Sequence, residues 1–214
     1  MKDEVNLYIL KASGRFGPYL KDLKESLKFA IKKTAGKISV SKVDLVIYDN
    51  PAQVIPEIGV GGRTHSPYLV RVSLDPGFPN FVKVIKHNLP LSISHELHHA
   101  ARWKTVGYGK TLGEAIISEG LATSFATEVW GGEPALWATA VKGTELKKLL
   151  SIAIKEVNDE NYNHYKWFFG RGDLPRWAGY SLGYDLVQKY LVKHPHELPS
   201  TLFDRPAGDF WRKS

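Results

Sequence analysis

The sequence predicts an α+β fold: a mixed helix-and-sheet part over residues 1–88 and a helical part over residues 89–214, together one domain. Three observations carry this. Short β-branched and aromatic runs are confined to the first 75 or so residues, and from Phe81 onward the apolar spacing is helical. At 43% apolar and 24% charged, 214 residues suffice for a sizeable core. Neither a repeat, a low-complexity tract nor a linker interrupts the chain.

Val5 to Leu10 reads as a first short strand. Gly17-Pro18 opens a helix in which Leu20, Leu23, Leu27, Ala30 and Ile31 recur at helical spacing, with lysines between them and Gly36 as the stop. Val43 to Tyr48 is a buried strand ended by the turn Asp49-Asn50-Pro51. Gly59-Val60-Gly61-Gly62 lacks the Gly-Lys-Ser/Thr of a phosphate loop, so its glycines serve a turn or a close backbone approach. His65 is expected in the loop that follows, exposed to solvent. Tyr68, Val70, Val72 and Leu74 alternate with Leu69, Arg71 and Ser73, giving a half-buried strand up to Asp75-Pro76-Gly77.

Asn88 is expected to cap a helix from about Leu89 to Thr105. Ile93, Leu97 and Ala100 share its apolar face, and His95 and His99 fall roughly opposite. Thr111-Leu112-Gly113-Glu114 matches a capping box for the next helix, which gives Glu114 a structural role. Within that helix Glu119 lies in the apolar run Ala115–Ala122, where an unpartnered carboxylate would be costly. Gly120 beside it is unfavourable in a helix unless another helix packs closely there. Further helical stretches follow at about 134–141, 144–157 and 175–192. Between them Tyr162, Tyr165, Trp167, Phe168 and Phe169 read as core, and His194-Pro195-His196 after them reads as surface.

Composition narrows the function classes. Cysteine is absent, so disulfides and thiolate chemistry are excluded, and a metal site must use nitrogen and oxygen ligands. The net charge of +7 comes from residues 1–50 (ten Lys/Arg, six acids) and 141–214 (twelve against nine), while residues 51–140 hold seven of each. A solvated basic surface explains that distribution better than a nucleic-acid footprint. Acidic residues at Asp3 and Glu4, with no long apolar run after them, argue against a signal peptide. No run is long enough for a membrane span. The expected location is cytoplasmic, with neither membrane nor nucleic acid as partner.

The chemistry concentrates in His95-Glu96-Leu97-His98-His99. Positions i and i+4 of a helix share a face, so the imidazoles of His95 and His99 can converge on one point. Two neutral imidazoles at that spacing suit Zn2+, and the Glu96 carboxylate is placed to take a proton from water at the metal. His98 is 60° around the helix from His95 and flanks the site. Surface histidines would show the same spacing, so the pattern alone leaves both readings open.

His95-Glu96-x-x-His99 followed by Ser118-Glu119-Gly120-Leu121-Ala122 resembles the gluzincin metallopeptidases, which include thermolysin-like enzymes and zinc aminopeptidases. Over residues 55–192 the chain is also similar to an uncharacterised family of predicted Zn-dependent proteases. Gly61-Gly62, the two active-site helices and Leu174-Pro175-Arg176-Trp177-Ala178-Gly179-Tyr180-Ser181-Leu182-Gly183-Tyr184 carry that similarity. The resemblance implies a zincin-like fold with the H-E-x-x-H helix at the cleft, and His95, His99 and Glu119 as zinc ligands. It makes Glu96 the general base in hydrolysis of a peptide bond by zinc-activated water, with a peptide or protein as substrate. The oxyanion donor is expected to be Tyr180, with Tyr184 one turn away as the alternative. Thr123, one turn beyond Glu119, is expected to orient a ligand, and the strand Tyr68–Leu74 to align an extended peptide. Ser118 stands where zinc aminopeptidases carry Asn, and no Gly-Ala-Met-Glu-Asn segment occurs, so aminopeptidase specificity is not implied. The same residues could serve a zinc hydrolase of non-peptide amides or esters. A third reading is a basic nucleic-acid-binding or adaptor protein with a vestigial metal site.

Overall fold

The structure, a computed structural model, describes residues 5–212. It comprises two compact units, Met1–Lys104 and Thr105–Ser214.

The first unit is built on a four-stranded sheet of β1 (Val5–Ile9), β2 (Val43–Asp49), β3 (Val60–Ser66) and β4 (Leu69–Leu74), in the order β1-β2-β4-β3. β1, β2 and β4 run parallel, and β3 pairs antiparallel with β4. Parallel β1 and β2 need a crossover, which α1 (Leu20–Ala35) supplies. Period-two alternation sends Val43, Leu45 and Ile47 of β2 and Val70 and Val72 of β4 into the core, all fully buried. The stripe Leu23, Leu27, Ala30 and Thr34 is the buried side of α1. α3 (Leu89–Trp103) packs against α1, β3 and β4. Its Ser94 hydroxyl is 2.8 Å from that of Thr34, a buried polar pair that satisfies both groups.

Three expectations change here. Gly59 makes the expected turn, with φ 69°, but Val60 to Gly62 already belong to strand β3, and His65 lies on that strand rather than in a loop. Two glycines in the strand erase the alternation that would have marked it, but close approach is indeed their role. A Cβ on Gly61 would sit 1.9 Å from the Gln53 carbonyl oxygen. Strand β4 is interior, paired on both sides by β2 and β3, so it has no edge to offer a peptide; β3 is an outer strand. Asn88 caps nothing. The chain is already helical from α2 (Phe81–Lys83) through a π-helical turn, Val84–Asn88, into α3. Asn88 has helical backbone angles, and its side-chain amide donates to the Ile58 carbonyl at 2.8 Å.

The second unit is helical: α4 (Leu112–Trp130), α5 (Gly143–Glu156), α6 (His164–Phe169), α7 (Ala178–Lys193) and α8 (Gly208–Trp211). The capping box forms as expected. Thr111 Oγ1 accepts from the Glu114 amide, and the Glu114 carboxylate accepts from the Thr111 and Lys110 amides. α4 is buried nearly all round, which makes it the central helix of the unit. It crosses α7 where Gly120 meets Gly183, and a Cβ on Gly120 would stand 2.2 Å from the Gly183 carbonyl oxygen. Ile116, Ile117, Leu121, Trp167, Phe168, Leu182 and Val187 fill the surrounding core. Tyr165 and Phe169, expected inside with them, are exposed. The stretch 134–141 contains one short 3-10 turn, Leu136–Thr139, instead of a regular helix. Ser181 of α7 holds it, donating to the Trp137 carbonyl at 2.8 Å and accepting from the Val141 amide at 3.1 Å. The last long helix starts at Ala178, because Trp177 takes a left-handed conformation (φ 67°). Among the described residues no helix is long and apolar enough to cross a membrane.

Candidate metal centre

α3 carries both histidines. The spacing of four brings the two Nε2 atoms to 3.1 Å, with the rings edge to face. Tetrahedral zinc with Zn–N bonds of about 2.0–2.1 Å places two such nitrogens about 3.3 Å apart, so the pair suits one shared ion. Both are buried, at 6% exposure for His95 and 1% for His99. His98 is fully buried as well, with its ring centroid 6.5 Å from that of His99.

Beside them, Glu96 is held from strand β3. Thr64 Oγ1 lies 2.8 Å from Glu96 Oε2 and 2.9 Å from the Glu96 carbonyl, and can donate to either. Two residues earlier on the same strand face, a Cβ on Gly62 would stand 2.5 Å from Glu96 Oε1. The carboxylate thus fits against a strand that offers one hydroxyl and one missing side chain. Sequence reasoning flagged the glycine run for close approach but missed Thr64, since one threonine in a short strand carries no distinguishing signal.

In the second unit Glu119 is buried on α4, one residue before the glycine crossing. Thr123, one turn on, accepts a hydrogen bond from the Trp137 indole at 3.3 Å. Trp137 lies beside Tyr180, with ring centroids 6.2 Å apart, and Tyr180 stands edge-on to Phe168 at 5.1 Å. Tyr180 and Tyr184 are both half-buried on α7. Burial and then the Glu133 charge push the Tyr184 phenol above its ordinary value. Tyr162 was expected only as core, but the Glu119 carboxylate acts on it. Its phenol is raised first by burial, then by the charges of Glu119 and Glu114.

Among the described residues the group of His, Asp and Glu side chains that could hold a metal ion is His95, His99 and Glu119. All three are buried, with one ligand atom each within 4.8 Å of the others. Two imidazole nitrogens and a carboxylate oxygen form a donor set compatible with zinc. Burying a carboxylate is costly unless it is paired or coordinates a metal, and an ion would offset that cost.

A family model described as "Predicted Zn-dependent protease (DUF2268)" matches residues 23–212. Two relatives from Bacillus subtilis (strain 168) are similar to the chain. "Uncharacterized protein YjfC" is 24% identical over 204 residues, 88% of this chain and 66% of the relative. "Uncharacterized protein YjaZ" is 31% identical over 107 residues, 47% of this chain and 41% of the relative. The chain therefore spans just under two thirds of the first relative and less than half of the second. No solved structure matches it significantly.

Proposed function

The chain belongs to the family of predicted Zn-dependent proteases, and from that premise we propose that it is a gluzincin-like zinc metallopeptidase acting on peptides or proteins. The observation that carries this reading is the buried group His95, His99 and Glu119 with Glu96 beside it. In this reading the fold is zincin-like, and α3 is the floor of the substrate cleft.

His95, His99 and Glu119 would hold the ion. When bound, zinc lowers the pKa of water toward about 7 and polarises a carbonyl. Glu96 takes a proton at its carboxylate and returns it to the leaving amine. Thr64 and the space at Gly62 keep that carboxylate in one orientation, which supports a role in proton transfer more than in folding. The hydroxyl of Tyr180 is the donor assigned to the developing oxyanion, with Tyr184 as the alternative one turn away. Strand β3, as an outer strand adjoining Glu96, takes over the peptide-aligning role first expected of β4.

The test is metal content and turnover in parallel. Wild-type protein should bind about one zinc per chain and cleave peptides in a chelator-sensitive manner. Glu96→Gln should keep the zinc and lose at least about a hundredfold in turnover, and Glu119→Ala should lose the zinc. Equal zinc in wild type and Glu119→Ala would refute the ligand set, and unchanged turnover in Glu96→Gln would refute the base.

A further inference from the structure

Strand β3 has two faces, and the proposed chemistry uses one. Gly62 and Thr64 look toward α3, since both approach Glu96. Alternation sends Arg63, between them, to the opposite face. There it stands directly across from Arg71 of β4. Like charges opposed on antiparallel neighbours cost stability. Among the described residues neither arginine forms an ion pair with a carboxylate. Arg71 lies over the Tyr48 ring at 4.8 Å. The one acid on this face of the neighbouring strand, Asp44, pairs with Leu69 rather than Arg71 and accepts from Asn6 at 3.0 Å. His65 sits at the register irregularity beyond Arg63. Its pKa is held down by burial first, then by Arg63 and Arg71, as expected beside an uncompensated positive cluster.

We propose that this face of β3 and β4 is a subsite for acidic side chains, so that the chain selects extended peptides carrying Asp or Glu on the strand they add to β3. The proposal rests on the peptidase reading and names its substrate class. A peptide added to an outer strand alternates its side chains between the two faces. Those on the side away from α3 lie opposite Arg63 or diagonal to it, within reach of a guanidinium. A carboxylate there forms forked hydrogen bonds with Arg63 and relieves its repulsion with Arg71. Gly62, Arg63 and His65 are exposed, and Gly62 has no side chain to obstruct an incoming strand.

Two measurements test this. In the first, fluorescence anisotropy at low salt compares extended peptides of equal length, alternating Val with Asp or Val with Asn, on the full chain. The acidic peptide should bind about fivefold tighter or more, an advantage that fades with salt and is lost in Arg63→Glu. Arg63 is exposed and Arg63→Glu would face Arg71, so loss of binding in that variant does not stem from unfolding. Equal affinity for the two peptides, or the same preference in Arg63→Glu, would overturn the proposal. A single-stranded oligonucleotide binding tighter than the acidic peptide would overturn the choice of partner. In the second, the zinc-loaded protein digests a mixed peptide library, and cleaved peptides should be enriched in Asp or Glu at a fixed distance from the cut. Cleavage without that enrichment also overturns the proposal. No cleavage of any peptide refutes the peptidase reading instead, and the anisotropy result still decides whether the acidic subsite exists.

Discussion

Replacing Gly120 by alanine tests the crossing that places Glu119. In an exposed helix the change would stabilise by about 1 kcal/mol. Here the new Cβ would stand 2.2 Å from the Gly183 carbonyl oxygen, where ordinary contact begins at 3.4 Å. The missing 1.2 Å or so must come from moving α4 and α7 apart, because both surfaces are backbone. The crossing is surrounded by Ile116, Ile117, Leu121, Leu182 and Val187, all fully buried, so separation also loosens their packing. Overpacking of this kind costs about 1–3 kcal/mol, and a backbone-on-backbone clash belongs at the upper end. After the helix-propensity gain, the net loss is about 2 kcal/mol. For a chain of this size that lowers Tm by about 4–8 °C. Gly183→Ala should behave alike, since its Cβ would stand 2.0 Å from the Ile116 carbonyl. Gly17→Ala, with nothing within 4 Å, serves as control and should change little. Thermal unfolding followed by circular dichroism gives the answer, with zinc affinity measured beside it, since Glu119 precedes the crossing. If Gly120→Ala melts at or above the wild-type temperature, the close crossing does not exist as described.

Thr64→Val removes the hydroxyl from a buried carboxylate, a hydrogen bond to a charged group worth about 1.5–3 kcal/mol. We expect kcat to fall at least about tenfold with KM and zinc content little changed and Thr64→Ser largely restoring it; kcat equal to wild type would show that Thr64 does not position Glu96. Thr111→Ala breaks the capping box of α4 and should cost about 1 kcal/mol in urea unfolding, with no change in zinc content. His65 should titrate below the ordinary 6.5 in an NMR pH series, because burial and two guanidiniums disfavour its charged form. The sign follows: a folded-state pKa below the unfolded one makes His65 a source of lost stability as pH falls through about 6.5. Arg63→Glu should raise that pKa, and an unshifted resonance would remove the cationic cluster.

The sequence by itself determined what depends on neighbours along the chain. The i,i+4 histidines and the Thr111–Glu114 box are local patterns that formed as read, and so did most of two apolar rows. Leu23, Leu27 and Ala30 of α1 are buried, while Leu20 and Ile31 are only half-buried. Val70, Val72 and Leu74 of β4 are buried, while Tyr68 is exposed. The oddity of Glu119-Gly120 in an apolar run was also legible, because a carboxylate and a glycine there each demand an explanation from elsewhere. Only the tertiary structure decided which strand lies at the edge, since strand order is a matter of long-range pairing that period-two patterns do not encode. That is why the expectation of peptide alignment fell on β4, an interior strand. It also decided that Gly183 is what Gly120 meets, that Asn88 continues a helix instead of starting one, and that Thr64 reaches Glu96. A hydroxyl thirty-two residues away in sequence becomes the partner of a carboxylate only through the packing of a strand on a helix.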